Sequence, residues 1–183
     1  VTGTVVAQTT LGSLNAGAEA EAQVVWDASS ASTGWHKVYA VVDPTDGIVE
    51  ADKENNTGWA GVGVLPDLAL DPTAVVTGTN AMGGTAASVW VFNRGLRDAS
   101  SVLVGLYDRM PVSGTVPLAS TRLDIPAGEW RVVNLNADRI IPIGFYVGVD
   151  VNHEIEDQDV SNNVLLVGEA PYYIYLPMVL KNY

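Results

Sequence analysis

One stretch of this chain occurs twice. HKVYAVVDPTDGIVEADKENNTGWAGVGV, from His36, is echoed by GFYVGVDVNHEIEDQDVSNNVLLVGEA, from Gly144. Aligning Asp43 with Asp150 sets an ungapped offset of 107 positions, under which Tyr39 meets Tyr146 and Ile48 meets Ile155. Glu50 then meets Asp157, Asp52 meets Asp159, and Asn55-Asn56 meets Asn162-Asn163. Self-similarity of this kind marks two copies of one structural unit, so the chain is expected to fold as tandem modules.

The units are made of strands. From Ala18 to Trp26 the Ala and Glu content favours helix, but apolar residues fall at Ala18, Ala20, Ala22, Val24 and Trp26 with polar ones between them. That period of two is the signature of a strand with one wet face. The same alternation recurs in Val89 and Val91 against Trp90 and Phe92, and in Val102, Val104 and Leu106. With 18 Gly and 9 Pro against 2 Phe, the chain has the turn residues that many short strands need. The second unit reads as strands 67–76, 85–93, 101–107, 116–125, 129–136, 144–150 and 163–169. Seven strands are what the simplest immunoglobulin-like sandwich requires. The fold class is therefore all-β, with two tandem immunoglobulin-like β-sandwich units at 1–66 and 67–170 and a C-terminal strand tail at 171–183.

On this plan the first unit supplies only its last four strands, at 4–10, 18–26, 37–43 and 57–65, and lacks the opening three. Half a sandwich leaves an apolar face and unpaired edges, which invites strand addition from elsewhere. The tail PYYIYLPMVLKNY has the composition of a strand, with Pro177 at an edge, bulge or end. Tyr173, Tyr175, Leu176, Met178 and Leu180 are its candidate interface residues. The tail packs on its own domain, completes a deficient sandwich in another copy, or serves processing or sorting.

Several functions are disfavoured from the outset. A formal net charge of -12 repels phosphate backbones and anionic membrane surfaces, so no nucleic-acid partner is expected. Cysteine is absent, which removes disulfides, thiolate metal sites and Cys nucleophiles. No run reaches the roughly 20 apolar residues of a membrane-spanning helix. The start VTGTVVAQTT has neither an initiating Met nor a signal-peptide pattern, and reads as that of a processed or excised chain.

Polar chemistry concentrates in the two acidic loops. Asp43, Asp46, Glu50 and Asp52 in one, and Asp150, Asn152, Glu154 and Asp157 in the other, are hard oxygen ligands that could hold calcium. Neither loop follows the EF-hand pattern: Ile155 stands where that loop needs Gly, and Thr45 and Gly47 occupy ligand places in the first copy. The competing reading is that Asp and Asn side chains hydrogen-bond the turn backbone while outward acids are solvated. No other cofactor is expected. His36 and His153 are the only histidines and no Gly-x-Ser-x-Gly motif accompanies them, so the chain does not read as an enzyme. Asn55-Asn56-Thr57 matches a glycosylation sequon, a short pattern common by chance.

Among the five tryptophans, Trp26 and Trp90 fit a sandwich core. Trp59 differs, because it shares a strand face with Gly61 and Gly63, opposite Ala60, Val62 and Val64. A ring beside bare backbone makes a shelf for a strand, a domain or a ligand.

VVDPTDGIVEADKENNT resembles the closing hairpin of CARDB domains, the bacterial cell-adhesion-related modules. The family's Asp at a strand end, its apolar residue and acids in the loop, and its paired Asn correspond to Asp43, Ile48, Glu50, Glu54, Asn55 and Asn56. In the second copy they correspond to Asp150, Ile155, Asp157, Asn162 and Asn163, with Ser161 in place of the acid. The opening Asp67-Leu68 strand of the second copy has no counterpart in the first. YIYLPMVLKNY is similar to Tyr-Leu-Pro-apolar-basic endings of secreted bacterial proteins. These resemblances imply an immunoglobulin-like fold, an extracellular or cell-surface location and no catalysis. They favour a structural or adhesive module of an exported bacterial protein, with other copies of itself or neighbouring domains as partners and a filament or surface assembly closed by strand donation. The alternative is an accessory region of a secreted hydrolase that binds polysaccharide through Trp and Tyr.

Overall fold

The computed structural model describes residues 3–142 and 144–168. The candidate interface residues Tyr173, Tyr175, Leu176, Met178 and Leu180 lie outside this range. Nine strands are present among the described residues, with two short 3-10 turns at Ala28–Ser30 and Val160–Asn162. The first unit contributes β1 (Gly34–Val41) and β2 (Thr57–Val64). The second contributes β3 (Leu68–Thr79), β4 (Thr85–Asn93), β5 (Ala99–Tyr107), β6 (Ala119–Ile125), β7 (Trp130–Asn136), β8 (Phe145–Val149) and β9 (Val164–Val167).

Every strand pair is antiparallel. The second unit packs a three-stranded sheet, ordered β3-β4-β7, against a four-stranded sheet, ordered β6-β5-β8-β9. Alternation makes this possible, because each strand turns every second side chain to the space between the sheets. Val89, Val91, Val133 and Leu135 face Val102, Val104, Leu106, Val147 and Val149 in one core. Burying each of these aliphatic side chains stabilises the fold by roughly 1.5–3 kcal/mol.

Strand ends follow from local chemistry. Pro117 has no amide to give to a ladder, so the expected strand at 116–125 begins instead at Ala119. β3 bulges between Leu70 and Val75, where Pro72 interrupts the donors and the Asp71 carboxylate accepts from the Thr73 amide at 2.8 Å.

The first unit departs from expectation. Among the described residues, 4–10 and 18–26 belong to no ladder, and Val5, Val6, Leu11, Leu14, Val24 and Val25 are exposed. A strand is stable only with a hydrogen-bonded neighbour, and alternation cannot supply one. Of the four expected strands, among the described residues only β1 and β2 form, as a two-stranded sheet. Trp26 and Trp90 are also not core: both are partly exposed. Val89 and Val91 claim the inner face of β4, which turns Trp90 outward, and Trp26 lies edge-on to His36 with ring centroids 6.1 Å apart.

The repeat is structural as well as sequential. Tyr39 stands opposite Trp59 in the β1–β2 hairpin, and Tyr146 stands opposite Leu166 in β8–β9, so both hairpins keep one register. β2 runs almost directly into the second unit. Leu65 is buried at the junction, and its carbonyl accepts from the Leu96 amide at 2.9 Å.

Candidate functional site

Each acidic loop begins with an aspartate in the left-handed region, Asp43 at φ 42° and Asp150 at φ 43°. Asp tolerates this conformation better than most residues because its short side chain can bond the nearby backbone. Asp43 Oδ1 accepts from the Gly47 amide at 2.9 Å and Oδ2 from the Ile48 amide at 2.8 Å. Asp150 Oδ1 and Oδ2 accept from the Glu154 and Ile155 amides, each at 3.0 Å. The same carboxylate thus clamps the same two positions of the turn in both copies.

Two further contacts repeat at the 107-residue offset. Glu50 Oε2 accepts from Asn56 Nδ2 at 2.6 Å, and Asp157 Oδ2 accepts from Asn163 Nδ2 at 2.8 Å. Asp52 accepts from the Glu54 amide, and Asp159 from the Ser161 amide, both at 2.9 Å. These residues define a loop stapled by its own carboxylates, with the paired Asn tying the start of the last strand to the loop.

The proposed calcium ligands are therefore already engaged with protein. Asp43, Glu50, Asp52, Asp150 and Asp157 bind backbone or Asn donors, and Asp46 pairs with Lys53. Glu154 forms a two-bond ion pair with Arg122 at 2.9 and 3.0 Å. Asn152 Oδ1 accepts from the Gly114 amide at 2.9 Å. Among the described residues no three His, Asp or Glu side chains gather in an arrangement able to hold a metal ion.

The electrostatics follow these contacts. The Ile48 and then the Gly47 amide hold Asp43 below the usual carboxylate range. Ser161 does the same for Asp159, and Arg122 for Glu154. Asp157 moves the other way: burial raises it, and its bonds to Asn163, the Asp159 amide and the Leu68 amide only partly offset that. The Leu68 contact ties the second loop to the first strand of its own unit, at 3.2 Å.

Residues 1–58 match the CARDB family model. The match spans the Asp43–Asn56 loop and all of β1, and the second copy, outside the match, repeats the contacts made by Asp43, Glu50 and Asp52. Among solved structures, a CARDB domain from Pyrococcus furiosus, crystallised in complex with di-metal ions, is similar at 19% identity. That alignment covers 65% of this chain and 96% of the other, with a TM-score of 0.43. A β-glucosidase from Streptomyces venezuelae, DesR in complex with D-glucose, is similar at 16% identity over 56% of this chain and 15% of its own, with a TM-score of 0.34. No curated protein matches the chain.

Trp59, the remaining residue singled out from sequence, projects from β2 into solvent on the face it shares with Gly61 and Gly63. Sequence reasoning missed its companions Trp35 and Tyr39 on β1. The period-two spacing of Trp35, Lys37 and Tyr39 is visible in the sequence, but only the pairing register places them beside Trp59 and the glycines.

Proposed function

We propose that the chain is a non-catalytic structural or adhesive module of an exported bacterial protein, whose β1–β2 hairpin is completed by strands from another segment or another copy. One observation carries this reading. β8, the counterpart of β1, is flanked by both β5 and β9, and its inner face lies under the β3-β4-β7 sheet. Among the described residues β1 has only β2 as a neighbour, and Ala40 on its inner face and Val42 just past its end are exposed. Two strands alone are marginal in water, whereas three or more with a shared apolar face are stable. An unpaired edge of this kind accepts an added strand through main-chain hydrogen bonds. The CARDB match supports an extracellular, adhesion-related setting, and among the described residues no helix is long and apolar enough to cross a membrane.

Hydrogen exchange of the full chain across a concentration series, alongside sedimentation, tests completion by another copy. Protection of the β1 amides that face away from β2 should rise as oligomers form, and deleting 171–183 should abolish that protection if the tail is the donor. A chain that stays monomeric, with those amides exchanging freely both alone and within any longer parent protein, refutes the reading.

A further inference from the structure

The outward face of the β1–β2 hairpin carries more aromatic surface than its fold requires. Trp35, Lys37 and Tyr39 alternate along β1, and Gly63, Gly61 and Trp59 stand opposite them in that order. With no side chain at Gly61, the Trp35 indole comes within 4.0 Å of the point a Cβ would occupy there. Trp35 and Trp59 remain 64% exposed and Tyr39 42%. The Lys37 ammonium lies over one face of the Trp59 ring, 3.9 Å from its centroid, and 5.2 Å from the centroid of Tyr39. At the other end the Gln158 amide oxygen reaches to 2.8 Å from the Cβ position of Gly63, bringing a polar group beside Trp35.

The second copy shows what the fold itself needs at these places. Pro142 stands for Trp35, Gly144 for Lys37 and Leu166 for Trp59, and only Tyr39 has an aromatic counterpart, Tyr146. The second unit has a ring over a cross-strand pair of glycines: Tyr107 packs against Gly105 and Gly148. There, Pro111, Pro117 and Val151 crowd the same glycine positions, and Tyr107 is buried. In the first unit the rings beside Gly61 and Gly63 stay exposed instead.

Size and charge select the occupant. Three rings at these exposures offer roughly 300–400 Å² of contact, from about 150–250 Å² per aromatic side chain. A stable protein interface needs about 800 Å² on each partner, so a protein or second copy is too large a claim for this face. The net charge of -12 disfavours a polyanion. A pyranose chain meets both constraints: its C–H faces lie flat on exposed rings, and its hydroxyls find donors in Lys37 and Gln158 and an acceptor in Gln158. We propose that Trp35, Tyr39 and Trp59, with Lys37 and Gln158, form a platform that binds a neutral polysaccharide. This does not rest on strand completion, which concerns the opposite face and the free edge of the hairpin.

Affinity electrophoresis of the full chain tests it, in gels containing a mixed-linkage β-glucan, a xylan or a galactomannan, with polygalacturonate as the anionic control. At least one neutral polymer should retard the protein, and polygalacturonate should not. Trp35→Ala and Trp59→Leu, the latter importing the residue that the second copy carries, should each weaken retardation about tenfold. Trp130→Ala, in the other unit, should leave it unchanged, and thermal melting by circular dichroism should show all three variants folded. The proposal fails if none of the neutral polymers retards the protein, if folded Trp35→Ala and Trp59→Leu both bind fully, or if polygalacturonate binds equally well. It also fails if Trp59→Leu abolishes self-association in sedimentation instead, since the occupant is then a second copy.

Discussion

Replacing Asp150 with Asn isolates what the loop staple contributes to stability. Asp150 is 1% exposed, and its two oxygens accept from the Glu154 and Ile155 amides at 3.0 Å. Asn retains one acceptor oxygen but turns an NH2 toward the second amide, leaving one buried donor unsatisfied at a cost of about 1–3 kcal/mol. Asn also tolerates the left-handed backbone at this position, so backbone strain does not inflate the figure. For a unit of about 100 residues each kcal/mol moves the melting temperature by about 4–8 °C. A loss of about 2 kcal/mol therefore lowers Tm by roughly 8–16 °C. The first copy supplies an internal control. Asp43→Asn removes the same pair of bonds, but Asp43 is partly exposed and water can replace the lost acceptor, so its shift should be less than half as large. Scanning calorimetry of both variants measures the difference. If Asp150→Asn melts within about 2 °C of the unsubstituted protein, or if Asp43→Asn costs as much, the buried staple does not stabilise the second unit.

Gly95→Ala should destabilise the junction between units by about 1–3 kcal/mol or more in urea titration. Its Cβ would fall 2.2 Å from the Leu65 carbonyl oxygen and 2.5 Å from the Asp67 nitrogen, and both are backbone atoms without freedom to move aside. Acid should weaken the fold below about pH 4, near the ordinary carboxylate values. Asp43, Asp159 and Glu154 have folded values below their unfolded ones, so their stabilisation is present above that range and is lost as pH falls through the lowered values. Asp157, raised by burial, has the opposite sign, and Asp157→Asn should make the acid loss steeper. A melting temperature that stays flat from neutral pH to pH 3 refutes this sign. Millimolar calcium or a chelator should leave Tm unchanged, since the loop carboxylates already bind protein donors; a calcium-dependent rise in calorimetry would show the contrary.

Much of the fold was written in local pattern. The turn residues at Asn80–Gly84 and Asn93–Gly95 bounded β4 at Thr85–Asn93. The 107-residue offset fixed the common register of the two hairpins, since a slip of one residue would send each apolar set to the wrong face. Pattern failed where it needed a partner. Val89 and Val91 alternate with Trp90 and Phe92, all apolar, so the inward pair could be chosen only by the opposing sheet. The segments 4–10 and 18–26 have the right period but, among the described residues, no neighbouring strand to bond.

The sequence by itself determined the all-β class, the repeat, the turns and the acidic character of both loops, because each depends on residues near one another in the chain. Only the tertiary structure decided what those residues do. It turned the loop carboxylates onto their own backbone amides, since a left-handed Asp presents both oxygens to the amides four and five positions on. It also brought Trp35, Tyr39 and Trp59 onto one open face, because cross-strand register, not proximity in sequence, sets which side chains meet.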